Sequence, residues 1–312
     1  MRRCTSKNEE LSMDFGIVIV TYNRVKELEF ALECYKNQTK TPKYVLVINN
    51  NSNDGTYKFL KKWENEDSDF DKYVINLDEN LGGSGGFYNG LKEAIKLNAD
   101  WIWLADDDAY PERDALENIE KFYENFADKN NLSAICGTVL NNRKIDVDHR
   151  RRLIFKSTRI IEEKVSEKEY DNKYFYINLF SYVGTAIKKD VLTSIGLTEK
   201  DYFIYYDDTE HSIRVNNYGK IVCLSNVRIN HDINLQNREV ISWKTYYGIR
   251  NRLYSYKKHF PKRYYYYEYI RFRLKIINSK DIVYKNILKE ALKDCKKGVL
   301  GTNNIYKPGW KG

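Results

Sequence analysis

The chain has only four prolines and four histidines in 312 residues, and its five cysteines, at 4, 34, 136, 223 and 295, stand far apart. With so few prolines and 42% hydrophobic residues, a disordered chain is excluded and a full core is available. No CxxC or close cysteine pair occurs, which excludes a disulfide framework or a cysteine zinc site and predicts reduced thiols in a cytosolic compartment. Long apolar runs are missing too. The longest, such as "IVIV" at 17–20, fall far short of the roughly 20 residues that span a bilayer. The first residues, "MRRCTSKNEELSMDFG", are basic but carry no apolar segment behind the charges, so they do not read as a signal peptide.

Charge is unevenly spread. The net charge is +8, yet residues 241–312 hold 18 Lys and Arg against 4 Asp and Glu, a local net of +14. Residues 1–240 therefore carry about −6 and form an acidic body ahead of a basic, tyrosine-rich tail. That split predicts a large domain at 1–240 and a helical extension at 241–312.

Within the body, short apolar runs alternate with amphipathic stretches, the pattern of an α/β fold with a mostly parallel sheet flanked by helices. Strands are predicted at 15–22, 44–50, 72–77, 101–106 and 133–140, and helices at 25–38, 55–65 and 90–98. A further helix is predicted at 111–126, with Pro111 at its first position, where a missing N–H costs nothing. Residues 141–180 are polar and show no regular pattern; 183–196 read as a strand turning into a helix. The loops "TYNR", "NNNSNDGT" and "DDD" then fall at the carboxyl ends of the first, second and fourth strands, the edge where open α/β sheets bind ligands.

"WIWLADDDAYP" at 101–111 sets three carboxylates at the end of an apolar strand. On extended backbone Asp106 and Asp108 share a side while Asp107 faces away. Solvated acids with Asp108 as a helix cap would explain a bare triplet. At this edge of the sheet a hard divalent cation, Mg²⁺ or Mn²⁺, explains it better. "NLGGSGGFYNG" at 80–90 places Gly82, Gly83, Ser84, Gly85 and Gly86 after the third strand. It is neither a P-loop nor a dinucleotide fingerprint. Its glycines allow tight packing, or backbone that approaches a ligand closely with N–H groups free to donate. "YFIYYDDTEHSIRV" at 202–215 carries Asp207, Asp208 and Glu210. There the acids either cap a helix, with Glu210 paired to Arg214, or include a general base with a supporting neighbour. His231 closes a strand-like run; His149, His211 and His259 have no evident partners in the sequence.

These stretches, in this order, resemble the family 2 inverting glycosyltransferases of the GT-A fold, with the nearest likeness to the bacterial rhamnosyltransferase and galactofuranosyltransferase branch, over about 15–258. "VTYNR" is similar to the family's first nucleotide contact, which implies roles for Thr21, Tyr22 and Arg24. "NNNSNDGT" is similar to D-N-x-S-x-D-G-T, with Asn49 in place of the acid that accepts from the pyrimidine and Asp54 at the later acid; an Asn carbonyl can accept the same bond. "NLGGSGGFYNG" closely resembles the branch's N-x-G-G-x-G-G-F. The resemblance implies Asp106, Asp108 and His231 as ligands of Mn²⁺ or Mg²⁺, Asp107 near the donor, Asp208 as catalytic base and Asp207 in support. His211 stands where the branch more often has an aromatic, which would alter the acceptor wall. The activity implied is a single inverting displacement on a UDP- or dTDP-sugar, galactofuranose favoured and rhamnose the alternative, onto a hydroxyl of a polyprenyl-diphosphate-linked glycan.

The tail, centred on "KKHFPKRYYYYEYIRFRLK", mixes Lys and Arg with Tyr and aliphatic residues at near-helical spacing. Such a segment can lie on an anionic membrane face or form a solvated helical pair, and the first is expected here, with the protein peripheral on the inner face of the cell membrane. A nucleic-acid partner is not expected, because it would leave DDD, GGSGG and DDTE unexplained together. A sugar nucleotidyltransferase would carry glycine and basic residues right after the first strand, and "VTYNRVKE" has no glycine.

Overall fold

The structure, a computed structural model, describes residues 13–232 and 241–310. The first twelve residues, with Cys4 and most of the basic N-terminal stretch, lie outside the described residues. Apolar runs become strands wherever both faces are covered. β1 (Phe15–Thr21), β2 (Tyr44–Asn49) and β4 (Trp101–Asp106) are almost wholly buried, and β3 (Asp71–Asn76) forms one edge. Helices α1 (Val25–Lys36), α2 (Thr56–Glu64) and α3 (Gly82–Ala94) connect them. Successive residues of β1 feed two separate cores, Ile17 and Ile19 on one face of the sheet and Val18 and Val20 on the other.

The strand order is β3-β2-β1-β4, all parallel. The chain thus reverses its direction of build between β1 and β4, and a crevice opens at their carboxyl ends, where Val20 pairs with Asp106. Beyond β4 come the two-residue β5 (Tyr110–Pro111), α4 (Ala115–Asn125) and β6 (Leu132–Asn141). Pro111 is not the first residue of a helix as expected. It pairs with Ile229 in a short edge bridge, a place that tolerates the missing N–H, and α4 starts four residues later.

Residues 141–180, which showed no pattern in the sequence, are regular. β7 (Lys144–Ile145) folds back on β6, while β8 (Arg150–Phe155), β9 (Ile160–Lys164) and β11 (Leu179–Phe180) form a separate three-stranded antiparallel sheet. β10 (Tyr174–Ile177) adds an edge to the main sheet. β12 (Thr185–Lys188) slots antiparallel between β4 and β6, followed by α5 (Lys189–Ile195), α6 (Asp207–Tyr218) and the long β13 (Lys220–Asn230), parallel to β6.

Three helices rather than a pair complete the chain: α7 (Trp243–His259), α8 (Lys262–Asn278) and α9 (Ile282–Lys297). They close around Tyr246, Tyr247, Leu253, Phe272, Leu288 and Leu292, and Phe203 from the body joins the same core. Glu210, fully buried on α6, accepts from Arg214 at 2.8 Å and lies 2.7 Å from His259 Nε2 on α7, so a buried ion cluster also ties the extension to the body. Among the described residues no helix is long and apolar enough to cross a membrane, and four cysteines are free thiols.

Candidate active site

The DDD segment ends β4 inside the crevice. Asp106, Asp108 and His231 each offer one ligand atom, all within 4.8 Å of one another. His231 reaches them because β13 runs past β5 to the same edge, and its Nε2 stands 3.2 Å from Asp108 Oδ1. Asp107 is not on extended backbone as expected: β4 ends at Asp106, the Ala109 N–H donates to the Asp106 carbonyl at 3.2 Å to close a turn, and within that turn Asp107 accepts from the Tyr22 backbone N–H at 3.4 Å. The Arg24 guanidinium pairs with Asp108 and lies 3.5 Å from Asp107. Arg24, expected on the nucleotide, thus sits on the acidic triplet.

Burial works against ionisation in all three carboxyls. It pushes Asp106 up to about 6, with Asp108 adding repulsion, and Asp107 up to about 7. Burial acts on Asp108 too, but the bonds from His231 and Arg24 outweigh it and hold that group at about 2. Burial pushes His231 down, but its bond to Asp108 and the charges of Asp108 and Asp106 together outweigh that and raise it. Its Nδ1 is buried with no hydrogen-bond partner. Two carboxylates that repel each other and an imidazole beside them form a donor set that a divalent cation fits, since each is a ligand type used by Mn²⁺ or Mg²⁺.

The second acidic cluster faces the first. Asp207 and Asp208 open α6, and Asp106 is close enough to both to interact electrostatically. Burial and the Asp208 charge push Asp207 up to about 8. Burial also raises Asp208, opposed by the Arg151 guanidinium. Asp208 Oδ1 accepts from Thr209 Oγ1 at 3.1 Å, and Thr209 accepts from Arg151 Nη2 at 2.8 Å. Arg151, on β8 of the small sheet, is held by Glu162 at 2.6 Å. None of this was visible in the sequence, because the small sheet itself was not.

The glycine segment is not a loop leading to a helix at 90. It is the first half of α3. Gly86 and Gly90 let that helix lie against β1, since a Cβ there would stand 2.4 Å from Val20 and Val18 side chains. Gly82 has φ of +70° and would drive a Cβ into the Phe203 carbonyl. At Gly85 a Cβ would meet Leu81 at 2.4 Å. Gly83 alone of the five residues 82–86 combines an ordinary φ with open space at its Cβ position. Ser84 is fully buried beside Asp207, and its hydroxyl meets no partner with hydrogen-bond geometry.

The remaining predicted contacts line the β1 and β2 ends. Thr21 is buried next to Asp107, and the Tyr22 ring is exposed. Asn49 is buried, donates to Asn76 at 2.7 Å and accepts from the Ser52 N–H at 3.1 Å. Asp54 is exposed, yet both its oxygens bond locally, to the Val25 N–H that starts α1 and to Thr56. His211 is not on an acceptor wall. It is fully buried, bonded to Tyr182 at 2.8 Å and driven down to about 3 by burial. Two groups escaped sequence reading. His149 sits with its ring centroid 5.5 Å from that of His231, and burial lowers it to about 4. Lys244, in the first turn of α7, lies over the Tyr205 and Trp243 rings and interacts with Asp106.

The profile described as "Glycosyl transferase family 2" matches residues 16–196, more than half of the chain and inclusive of β1, the glycine helix and DDD. The chain belongs to glycosyl transferase family 2. Asp208 and His231 lie beyond the matched span. Among proteins similar to this family member, galactofuranosyltransferase GlfT1 of Mycolicibacterium smegmatis is 27% identical over 197 residues, 62% of this chain and 62% of that protein. The dTDP-rhamnosyl transferase RfbF of Shigella flexneri is 26% identical over 256 residues, 78% of this chain and 80% of that one. Two solved structures share the fold. GalNAc-T7 with UDP, GalNAc and Mn²⁺ superposes with a TM-score of 0.63 at 13% identity, over 93% of this chain and 57% of that one. TarS of S. aureus with UDP-GlcNAc gives 0.58 at 15% identity, over 92% and 82%. The family 2 chain therefore has the GT-A architecture, with a helical C-terminal region after it.

Proposed function

We propose that this chain is a metal-dependent inverting glycosyltransferase that moves a sugar from a nucleoside diphosphate to a hydroxyl of a glycan acceptor. The observation that carries this is the convergence of Asp106, Asp108 and His231 at one end of the crevice, with Asp208 of α6 close enough to Asp106 to interact with it electrostatically. Asp106, Asp108 and His231 would hold Mn²⁺ or Mg²⁺, which when bound offsets charge on the leaving diphosphate. Asp208 accepts the proton of the acceptor hydroxyl as that oxygen attacks the anomeric carbon and the nucleoside diphosphate departs from the opposite face, so configuration inverts. Thr209 and Arg151 orient the carboxylate, and Asp207, raised by burial, is kept protonated beside it.

Galactofuranose from UDP-galactofuranose is the favoured transfer, on the similarity to the mycobacterial galactofuranosyltransferase. Rhamnose from dTDP-rhamnose is the second reading, favoured by the longer match to the Shigella protein. The acceptor proposed is a polyprenyl-diphosphate-linked glycan of a cell-surface polysaccharide. On α8 the exposed side chains of Tyr266, Ile270, Leu274 and Ile277 follow one another at helical spacing among Arg263 and Arg273, with Lys280 just past the helix end, which supports a cytoplasmic protein lying on the inner face of the membrane. The test is binding and turnover of a panel of UDP- and dTDP-sugars with Mn²⁺ and with EDTA. One donor is expected to bind only with metal, and failure of every nucleotide sugar to bind overturns the proposal.

A further inference from the structure

The residues just ahead of the second acidic cluster, "FIYY" at 203–206, adopt backbone that their side chains disfavour. Phe203, Tyr205 and Tyr206 have φ of 67°, 64° and 72°. None is Gly or Asn, and bulky residues in this region are outliers that persist only where their surroundings hold them. At Phe203, with ψ of −60°, the Ile204 N–H donates to the Tyr202 carbonyl at 2.8 Å, which closes a γ-turn of the strained hand.

The turn is a junction. The Phe203 carbonyl accepts from the Ser84 N–H of the glycine helix at 3.2 Å, and the Tyr206 carbonyl accepts from the Glu210 N–H of α6 at 2.9 Å. One side of it therefore reaches the donor edge, and the other aims Asp207 and Asp208.

What holds it comes from the C-terminal extension. The Asn251 side-chain amide, fully buried on α7, donates to the carbonyls of Tyr202 at 3.0 Å, Ile204 at 3.0 Å and Tyr205 at 2.8 Å. Its two hydrogens are shared among three acceptors that only this folded-back turn brings together. Arg250 fixes the amide's orientation by donating from Nε to Asn251 Oδ1 at 2.9 Å, and its Nη2 donates to the Tyr202 carbonyl at 3.1 Å. The Arg250 Nη1 is anchored on the Gly301 carbonyl at 2.7 Å.

We infer that Asn251, oriented by Arg250, is a positioning residue for the reaction: it holds the 203–206 turn in the strained form that sets Asp208 opposite Asp106 and Asp108. The inference rests on Asp208 being the base. It makes the extension part of the catalytic centre rather than only a means of reaching a surface.

The test compares the full chain with Asn251→Ala, Tyr205→Gly, the double variant, Asp208→Asn and Leu253→Ala. Leu253 packs in the same core, which includes Phe203, but its side chain has no donor for the turn carbonyls that Asn251 holds. Amide hydrogen exchange is followed in peptides covering 200–212 and 80–88. Turnover of UDP-galactofuranose and dTDP-rhamnose is read as nucleotide release with a set of octyl glycosides as acceptors. In Asn251→Ala both peptides exchange faster while the β1–β4 strands stay protected, and kcat falls about 100-fold, the scale of a misplaced catalytic group. Glycine at 205 adopts positive φ without penalty, so the double variant recovers about tenfold of that loss relative to Asn251→Ala. Leu253→Ala lowers the melting temperature but keeps kcat.

Wild-type protection of 200–212 in Asn251→Ala overturns the inference, as does an unchanged kcat. So does an equal loss of kcat in Leu253→Ala with no rescue by glycine. The exchange measurement needs no donor, so it decides the clamp even where neither sugar turns over. If Asp208→Asn transfers sugar at the wild-type rate, the base assignment fails instead, whatever Asn251→Ala does.

Discussion

His231 Nε2 stands 3.2 Å from Asp108 Oδ1, although 123 positions of chain separate the two residues. The pairing depends on the long β13, which ends at Asn230 and so brings the next residue, His231, beside the DDD turn.

That geometry makes the three ligand atoms interdependent. Asp106→Ala and Asp108→Ala are expected to abolish Mn²⁺-dependent nucleotide binding, and His231→Ala to weaken metal affinity by at least about tenfold, as loss of a ligand or its support does elsewhere. Calorimetric titration of Mn²⁺, with EDTA reversal, reads this. Equal metal affinity in His231→Ala and the wild type would remove His231 from the site.

Asp208→Asn is expected to keep donor binding while kcat drops by about 10²–10⁴. Burial raises the Asp208 pKa, so the base gains its working, ionised form later on the pH axis than a free carboxyl, whose pKa is about 3.9. Activity therefore rises with pH through a limb centred above that value. A pH–kcat/KM profile with no acid limb above the free-carboxyl range contradicts the assignment.

The glycines of α3 divide into two kinds. Gly86→Ala places a methyl 2.4 Å from Val20 Cγ1. It should destabilise the fold by about 1–3 kcal/mol, as overpacking does. Gly83→Ala meets no neighbour and should leave the melting temperature nearly unchanged. Any loss it causes in donor affinity then reports close approach of a ligand. Equal destabilisation by both would mean that the helix packs differently.

Glu210 ties α6 to α7, and Glu210→Gln is expected to cost on the order of 3 kcal/mol because it leaves Arg214 without its partner. Burial acts against the ionised form, but His259, Arg214 and Lys258 together hold the Glu210 carboxyl far below its ordinary range. A depressed folded-state pKa stabilises above the unfolded value, about 4.3. This contribution is thus fully present at neutral pH, begins to fall below that value and is lost as pH drops through the much lower folded-state pKa. Urea unfolding at pH 7 and at about pH 3 should show a larger drop for the wild type than for Glu210→Gln.

Ile270→Glu with Ile277→Glu should reduce sedimentation with vesicles containing anionic lipid and leave donor binding intact. Both residues are exposed, so the fold does not depend on them. Binding that is indifferent to these changes and to salt would exclude α8 as the contact.

Much of this was written plainly in the chain. Strands buried on both faces, such as "FGIVIVT" and "YVLVIN", announce themselves by unbroken apolar runs, and the polar loops that end them therefore mark the ligand edge. DDD was legible as acids closing a buried apolar strand, but its geometry was not: only Asp106 is on the strand, and a turn rather than strand alternation places Asp107 and Asp108. The small sheet was not, since "RRRLIF" and "IIEEK" are short, half-exposed strands whose charges pair across the ladder, Arg151 with Glu162, and no apolar period survives. His211 misled because sequence position shows that it follows the base but not that α6 turns it inward. The 203–206 turn was illegible for another reason. Aromatic residues carry no signal for positive φ, and its holder lies some 45 positions away.

The small sheet also has a consequence for how members of this family could diverge. Arg151 of β8, held by Glu162 of β9, reaches Asp208 through Thr209 of α6, and Glu162 also receives Tyr256 from α7. A transplanted 151–180 segment that kept Arg151 and Glu162 would change the surface offered to an incoming glycan while His149, which packs beside His231, and the donor edge stayed as they are. Acceptor choice would then be an exchangeable cassette, and those two side chains the fittings any replacement has to carry.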